Sequence, residues 1–137
     1  LVMYAGKIVE QAETTAILQE TAHPYTEALL RSIPKIDLPS HTRLAAIAGR
    51  PPDLIAPSTG CSFSPRCPYA QERCFEEAPV LKQQTSGHAF ACWYPVGTPE
   101  NKAAWEKNLS EGRLSTLAVA KGQIVDEVPV DLTSGSA

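Results

Sequence analysis

Apolar positions fall in short runs broken by turn formers. Leu1 to Ala5 is apolar, Gly6-Lys7 supplies a turn, and Ile8-Val9-Glu10 resumes strand character, so residues 1–11 read as a small β-hairpin. Gly6 takes the positive φ such a turn needs at little cost. Thr14 to Thr21 reads as a short helix, with Thr14 as N-cap and Ile17, Leu18 and Ala22 as its buried stripe. Pro24 to Ser32 reads as a second helix. Proline sits in its first turn, Glu27 lies near the positive end and Arg31 near the negative end. Ala28, Leu29 and Ile33 give the apolar spacing, and Pro34 stops the helix.

The pattern then loosens. Pro34 to His41 reads as a linker, Arg43 to Ala48 as a short strand ended by Gly49-Arg50-Pro51-Pro52, and Pro52 to Gly60 as irregular backbone. Pro68 to Phe75 has room for one or two helical turns. Gly87 to Tyr94 reads as a strand with His88, Phe90 and Cys92 alternating onto one face. Asn101 to Leu109 reads as a helix containing Trp105. Leu117 to Val130 is β-branched enough to add strands, and Asp131 to Ala137 is a frayed polar end.

At 137 residues the chain is long enough for one domain with a modest core. Its 12 prolines predict short elements and long connections. A net charge of −3 with no basic patch argues against a nucleic-acid partner. The aromatic residues are too sparse for a stacking platform; Tyr25 and Trp93 read as core packing. No run approaches the roughly 20 apolar residues of a membrane span. The start lacks the basic and apolar regions of a signal peptide, so a reducing compartment is expected. Its abrupt apolar opening suggests a fragment of a longer protein.

Four cysteines change this picture: Cys61, Cys67, Cys74 and Cys92. They are separated by five, six and seventeen residues and all fall within 32 residues. Core packing alone gives no reason for such clustering. Three readings stand: free thiols in a core, a pair of disulfides, or a metal or iron–sulfur site. The last is favoured, because a reducing compartment disfavours disulfides. The ligand is the thiolate. Cys67 before Pro68 reads as the start of a helical turn, where backbone amides lower its pKa. Arg66 and Arg73 flank Cys67 and Cys74 and offset negative charge, and Gly60 lets backbone approach a ligand. The spacing matches neither the tight pairs of structural zinc nor the ferredoxin patterns, so zinc and iron–sulfur both stay open. His88, placed on the face of Cys92, makes a Cys3His zinc site conceivable, against its plainer reading as a core or surface histidine. A cysteine–histidine nucleophile pair lacks any activating context, so no catalytic residue is assigned.

Three stretches carry a family resemblance. Val2-Met3-Tyr4-Ala5-Gly6-Lys7-Ile8-Val9-Glu10 resembles the strand pair after the switch histidine of ABC ATPases. His23-Pro24-Tyr25-Thr26, followed by Leu29-Leu30 and Ser32-Ile33-Pro34, is similar to the signature beyond the nucleotide-binding domain in the oligopeptide/dipeptide/nickel importer group. Ile47-Ala48-Gly49, Pro51-Pro52, Gly60-Cys61-Ser62-Phe63 and Arg66-Cys67 resemble the C-terminal extension of those ATPases. Residues 1–95 carry the likeness.

The resemblance implies an α+β fold: a small irregular domain of short strands and helices around a four-cysteine site, preceded by a hairpin and helices from the end of an ABC nucleotide-binding domain. It divides the chain into 1–34 (remnant of that domain), 35–60 (linker and short strand), 61–95 (four-cysteine extension) and 96–137 (helix and variable tail). It implies a peptide importer subunit on the cytoplasmic, inner face of the plasma membrane, in contact with its own nucleotide-binding domain, a partner ATPase subunit and permease subunits. It implies a 4Fe-4S cluster on Cys61, Cys67, Cys74 and Cys92, with zinc as the alternative. ATP and magnesium belong to the upstream domain, because this stretch has no G-x-x-x-x-G-K-S/T and no LSGGQ-like signature. His23 follows the hairpin, so it is not the switch histidine. The hairpin, cut from a larger sheet, leaves unpaired backbone and predicts a homodimer of the fragment through that edge.

Overall fold

A computed structural model describes residues 1–34, 46–56, 58–85 and 87–114. Val2–Tyr4 (β1) and Lys7–Gln11 (β2) form the expected hairpin. Its turn lies one residue earlier than the sequence suggested, at Ala5-Gly6. Both residues take positive φ, 50° and 77°, the geometry that follows the twist of paired strands. The hairpin is not left alone. Strand β2 pairs antiparallel with His88–Phe90 (β4), which pairs with Lys82–Thr85 (β3), giving the sheet order β1-β2-β4-β3. The Ala91 amide donates to the Val9 carbonyl at 2.9 Å and carries this pairing past the end of β4.

Helix α1, Thr14–Gln19, buries no residue. Its N-cap is Glu13, with no side-chain cap bond, rather than Thr14. Of the expected stripe, Ala22 is buried, Ile17 is half-buried and Leu18 is exposed. Helix α2, Pro24–Arg31, starts where proline suggested. His23 caps it: its Nδ1 accepts from the Tyr25 amide at 3.1 Å. The buried face of α2 is its first turn, Pro24 and Thr26, while Leu29 and Ile33 are exposed. The reason is a tertiary bond no helical period can reveal. Glu10 on β2 accepts from the Ala22 and His23 amides at 2.7 and 3.0 Å and turns the entry of the helix inward.

Tyr4, Tyr25 and Phe63 stack at the centre, with ring centroids 4.6–5.4 Å apart. Such pairs add to their area burial through edge-to-face contact. Arg66 closes one side. Its guanidinium donates to the Ala48 and Ile47 carbonyls at 2.9 and 2.8 Å and to the Tyr4 hydroxyl at 3.3 Å. Residues 46–48 are irregular backbone rather than strand. The rest of that expected strand, the linker at 35–45 and everything expected of 115–137 lie outside the described residues.

Helix α4, Pro99–Ser110, contains Trp105 as expected and is capped by the Thr98 hydroxyl, which accepts from the Asn101 amide at 3.2 Å. It buries Asn101, Ala104 and Asn108. Two of these three are polar, so the face that anchors α4 works through hydrogen bonds. Among the described residues no helix is long and apolar enough to cross a membrane.

Candidate four-cysteine site

Each cysteine arrives by a different local structure. Cys61 follows Gly60, and its amide donates to the Cys74 carbonyl at 2.7 Å. A Cβ on Gly60 would run into the backbone of Cys74 and Phe75. The close chain-to-chain approach therefore requires the glycine here. Cys67 follows the 3-10 turn Ser64–Arg66, and its carbonyl accepts from the Ala70 amide at 3.2 Å, which opens a further turn. The Tyr69 amide pulls its pKa down as expected, but burial outweighs it and the net shift is upward. Cys74 lies inside α3, Glu72–Glu76. Cys92 lies two residues beyond β4, so the strand does not extend to Tyr94.

The structure nonetheless brings all four together. Cys61, Cys67, Cys74 and Cys92 line one cavity, walled otherwise by side chains including Phe63, Tyr69, Trp93 and Tyr94. All four are free thiols. A charge on any one of them would raise the pKa of its neighbours: Cys92, Cys61 and Cys74 act on Cys67, Cys61 and Cys74 on Cys92, and Cys61 on Cys74. Among the described residues, no three His, Cys, Asp or Glu side chains are grouped closely enough to hold a metal ion.

Burial raises the pKa of each thiol, Cys67 well above its ordinary value and Cys92 to about 12. Backbone amides oppose this in a repeating way. The amides of Phe63 and Ser64 pull the pKa of Cys61 down, that of Tyr69 acts on Cys67, that of Tyr94 on Cys92, and those of Gln71 and Cys74 on Cys74. Phe63, Tyr69 and Tyr94 each lie two residues beyond their cysteine. Such donors favour the charged form of the sulfur. Sequence reasoning missed this feature, although a signal was present. Three of the four cysteines read Cys-x-aromatic: Cys61-Ser62-Phe63, Cys67-Pro68-Tyr69 and Cys92-Trp93-Tyr94. All three aromatic side chains wall the cavity.

Of the two arginines expected to offset negative charge, Arg66 is bound instead to carbonyls at 47 and 48. Arg73 does favour the charged form of Cys74, while lying over the Trp93 ring at 3.4 Å and pairing with Glu77 at 3.2 Å. Trp93 is held in place by its Nε1, which donates to the Glu77 carbonyl at 3.0 Å. His88, the candidate for a Cys3His site, is not in the cavity lining. Its Nε2 is 2.8 Å from Glu10 Oε1, and the ring is buried. That is the plainer of the two readings, a core histidine.

Residues 9–74 match the family described as the oligopeptide/dipeptide transporter, C-terminal region. The chain is also 48% identical over 93 residues to a probable peptide ABC transporter ATP-binding protein of Sinorhizobium fredii, covering 68% of this chain and 28% of that protein. It is 42% identical over 96 residues to the dipeptide transport ATP-binding protein DppD of Escherichia coli, covering 70% of this chain and 29% of that one. It is likewise 42% identical over 96 residues to the oligopeptide transport ATP-binding protein OppD of the same organism, covering 70% and 28%. These residues place the chain in the oligopeptide/dipeptide transporter C-terminal region family. The chain spans less than a third of the length of these relatives.

Proposed function

We propose that this chain is the non-catalytic regulatory and assembly region of the ATP-binding subunit of an ABC peptide importer, and that its four cysteines hold a 4Fe-4S cluster. The observation that carries the reading is the coincidence of family and site. The stretch matched to the transporter C-terminal region, 9–74, supplies three of the four thiols that line the cavity.

The donor set fits a cluster: four thiols share one cavity with an apolar wall, backbone amides favour the charged form of every sulfur, and four thiolates are the ligand set that a four-iron cluster takes. When bound, such a cluster supplies reversible one-electron chemistry. Cys61, Cys67, Cys74 and Cys92 would hold it, the amides of Phe63, Tyr69 and Tyr94 would steady the sulfur charge, and Trp93, stacked under Arg73, would form part of the wall.

In the whole protein, ATP and magnesium belong to a nucleotide-binding domain, and hydrolysis drives peptide uptake through permease subunits on the cytoplasmic face of the membrane. This α+β region would contact its own nucleotide-binding domain and the partner subunit. The test uses the full-length subunit, with cysteines intact or with Cys67→Ser and Cys92→Ser together, in a host lacking its own peptide-uptake ATPase. Uptake of a labelled peptide restored by the intact subunit, with ATP binding kept in the double variant, supports the reading. No uptake with any peptide, despite full nucleotide binding and membrane recruitment, contradicts it.

A further inference from the structure

Three of the four cavity thiols lie within the 9–74 stretch that matches the transporter family, and Cys92 lies beyond it. The segment that carries Cys92 is pinned on both sides. Before it, Phe90 pairs with Glu10 across the sheet, and the Ala91 amide donates to the Val9 carbonyl at 2.9 Å. After it, the Val96 amide donates to the Ala22 carbonyl at 2.9 Å.

One side chain joins the two pins. Glu10 is 0% exposed. Its Oε1 accepts from the Ala22 amide at 2.7 Å and lies 2.8 Å from His88 Nε2, while its Oε2 accepts from the His23 amide at 3.0 Å. Ala22 therefore gives its amide to Glu10 and its carbonyl to Val96. The carboxylate ties His88, four residues before Cys92, to the anchor of Val96, four residues after it. Strand β2, the entry to α2 and residues 88–96 close into a frame with Cys92 at the middle of its far side. Buried polar networks of this kind hold as a unit, because losing one bond leaves a desolvated partner unpaired.

We propose that Glu10 is a positioning residue for Cys92: by holding His88 and the Ala22 anchor together, it places the fourth thiol in the cavity that the other three line. The consequence for holding a cluster rests on the reading given above. The placement of residues 88–96 does not.

Two measurements on the 137-residue chain separate these parts, each made on wild type, Glu10→Gln, His88→Phe and Leu114→Ala. Gln keeps the shape of Glu but turns one acceptor into a donor. Phe keeps a ring against Phe90 and removes the bond to Glu10. Leu114 is buried and outside the frame, so its variant reports lost stability alone. The first measurement is amide hydrogen exchange by NMR in the metal-free, reduced chain. In Glu10→Gln the Ala91 and Val96 amides should exchange about tenfold faster than in wild type, the effect of one or two lost hydrogen bonds. The Cys61 and Cys74 amides, bonded to the Cys74 and Gln71 carbonyls, should keep their rates. Leu114→Ala should not single out residues 91 and 96. Equal acceleration of all four amides in Glu10→Gln, or none, overturns the proposal. If Glu10→Gln does not fold, His88→Phe decides: faster exchange at Ala91 with Cys61 and Cys74 unchanged supports the proposal, and a uniform or absent change overturns it. The second measurement is iron release to a chelator after reconstitution with iron and sulfide. Release should be about tenfold faster in Glu10→Gln and His88→Phe than in Leu114→Ala. Release no faster than in Leu114→Ala overturns the link between Glu10 and Cys92. Failure of wild type to take up iron and sulfide removes the cluster reading, and hydrogen exchange then decides on Glu10.

Discussion

Glu10 Oε1 and His88 Nε2 meet 2.8 Å apart in the interior, 78 residues apart in sequence. Glu10 is wholly buried and also accepts the Ala22 and His23 amides. One carboxylate thus ties the hairpin, the entry to α2 and the strand that leads to Cys92. Removing one partner of a buried pair strands the other groups without a bond. Glu10→Ala should therefore cost about 3 kcal/mol or more in a urea unfolding experiment. A loss typical of a surface site, under about 0.5 kcal/mol, would show that the network does not support the fold.

Gly60→Ala tests the close approach between Cys61 and Cys74. The added methyl meets the Cys74 and Phe75 backbone, which cannot turn aside as a side chain can. The expected loss is about 1–3 kcal/mol, as for other overpacked interiors, with the Cys61 amide becoming fast in hydrogen exchange. An unchanged melting temperature and a still protected amide would contradict the packing described.

Acid should loosen the region around His23. Burial lowers its pKa from 6.5 to about 4, against the opposing pull of Glu10. Between those values the unfolded chain takes up a proton that the folded chain refuses. Stability therefore falls as pH drops from 6.5 to 4, by about 3 kcal/mol for this group alone. Protonation at Nδ1 would also end the cap bond to the Tyr25 amide. His23→Asn retains a capping acceptor without the titration, so its unfolding midpoint in urea should change less across that pH window. The same slope in both proteins would remove His23 as its source.

Local chemistry made much of the scaffold legible. Gly6, the Pro24 start and Pro34 stop, and the Trp105 helix all follow from turn and capping preferences acting within a few residues. What depended on distant partners was hidden. The inward turn of α2 comes from Glu10, so the Leu29–Ile33 spacing pointed to the wrong face. His88 gave no sign of Glu10 as its partner, and Arg66 looked like a counter-charge when it is a clamp on carbonyls at 47 and 48. The four cysteines stood out by their clustering, but their meeting in one cavity depends on chain crossings such as that of Cys61 with Cys74. The Cys-x-aromatic repeat was readable and its meaning was not, because it lies in the direction of three backbone amides.

The most direct measurement is anaerobic reconstitution with iron and sulfide, for wild type and Cys67→Ser, followed by metal analysis and a visible spectrum. All four thiols have raised pKa values, so loading must expel protons and should strengthen as pH rises. The expected result is about four irons and four sulfides per wild-type chain, brown colour, and loss of both in Cys67→Ser. Wild type that binds no iron at any pH where it is folded, or a Cys67→Ser chain that keeps the full complement, would contradict the claim that these four cysteines form one cluster site.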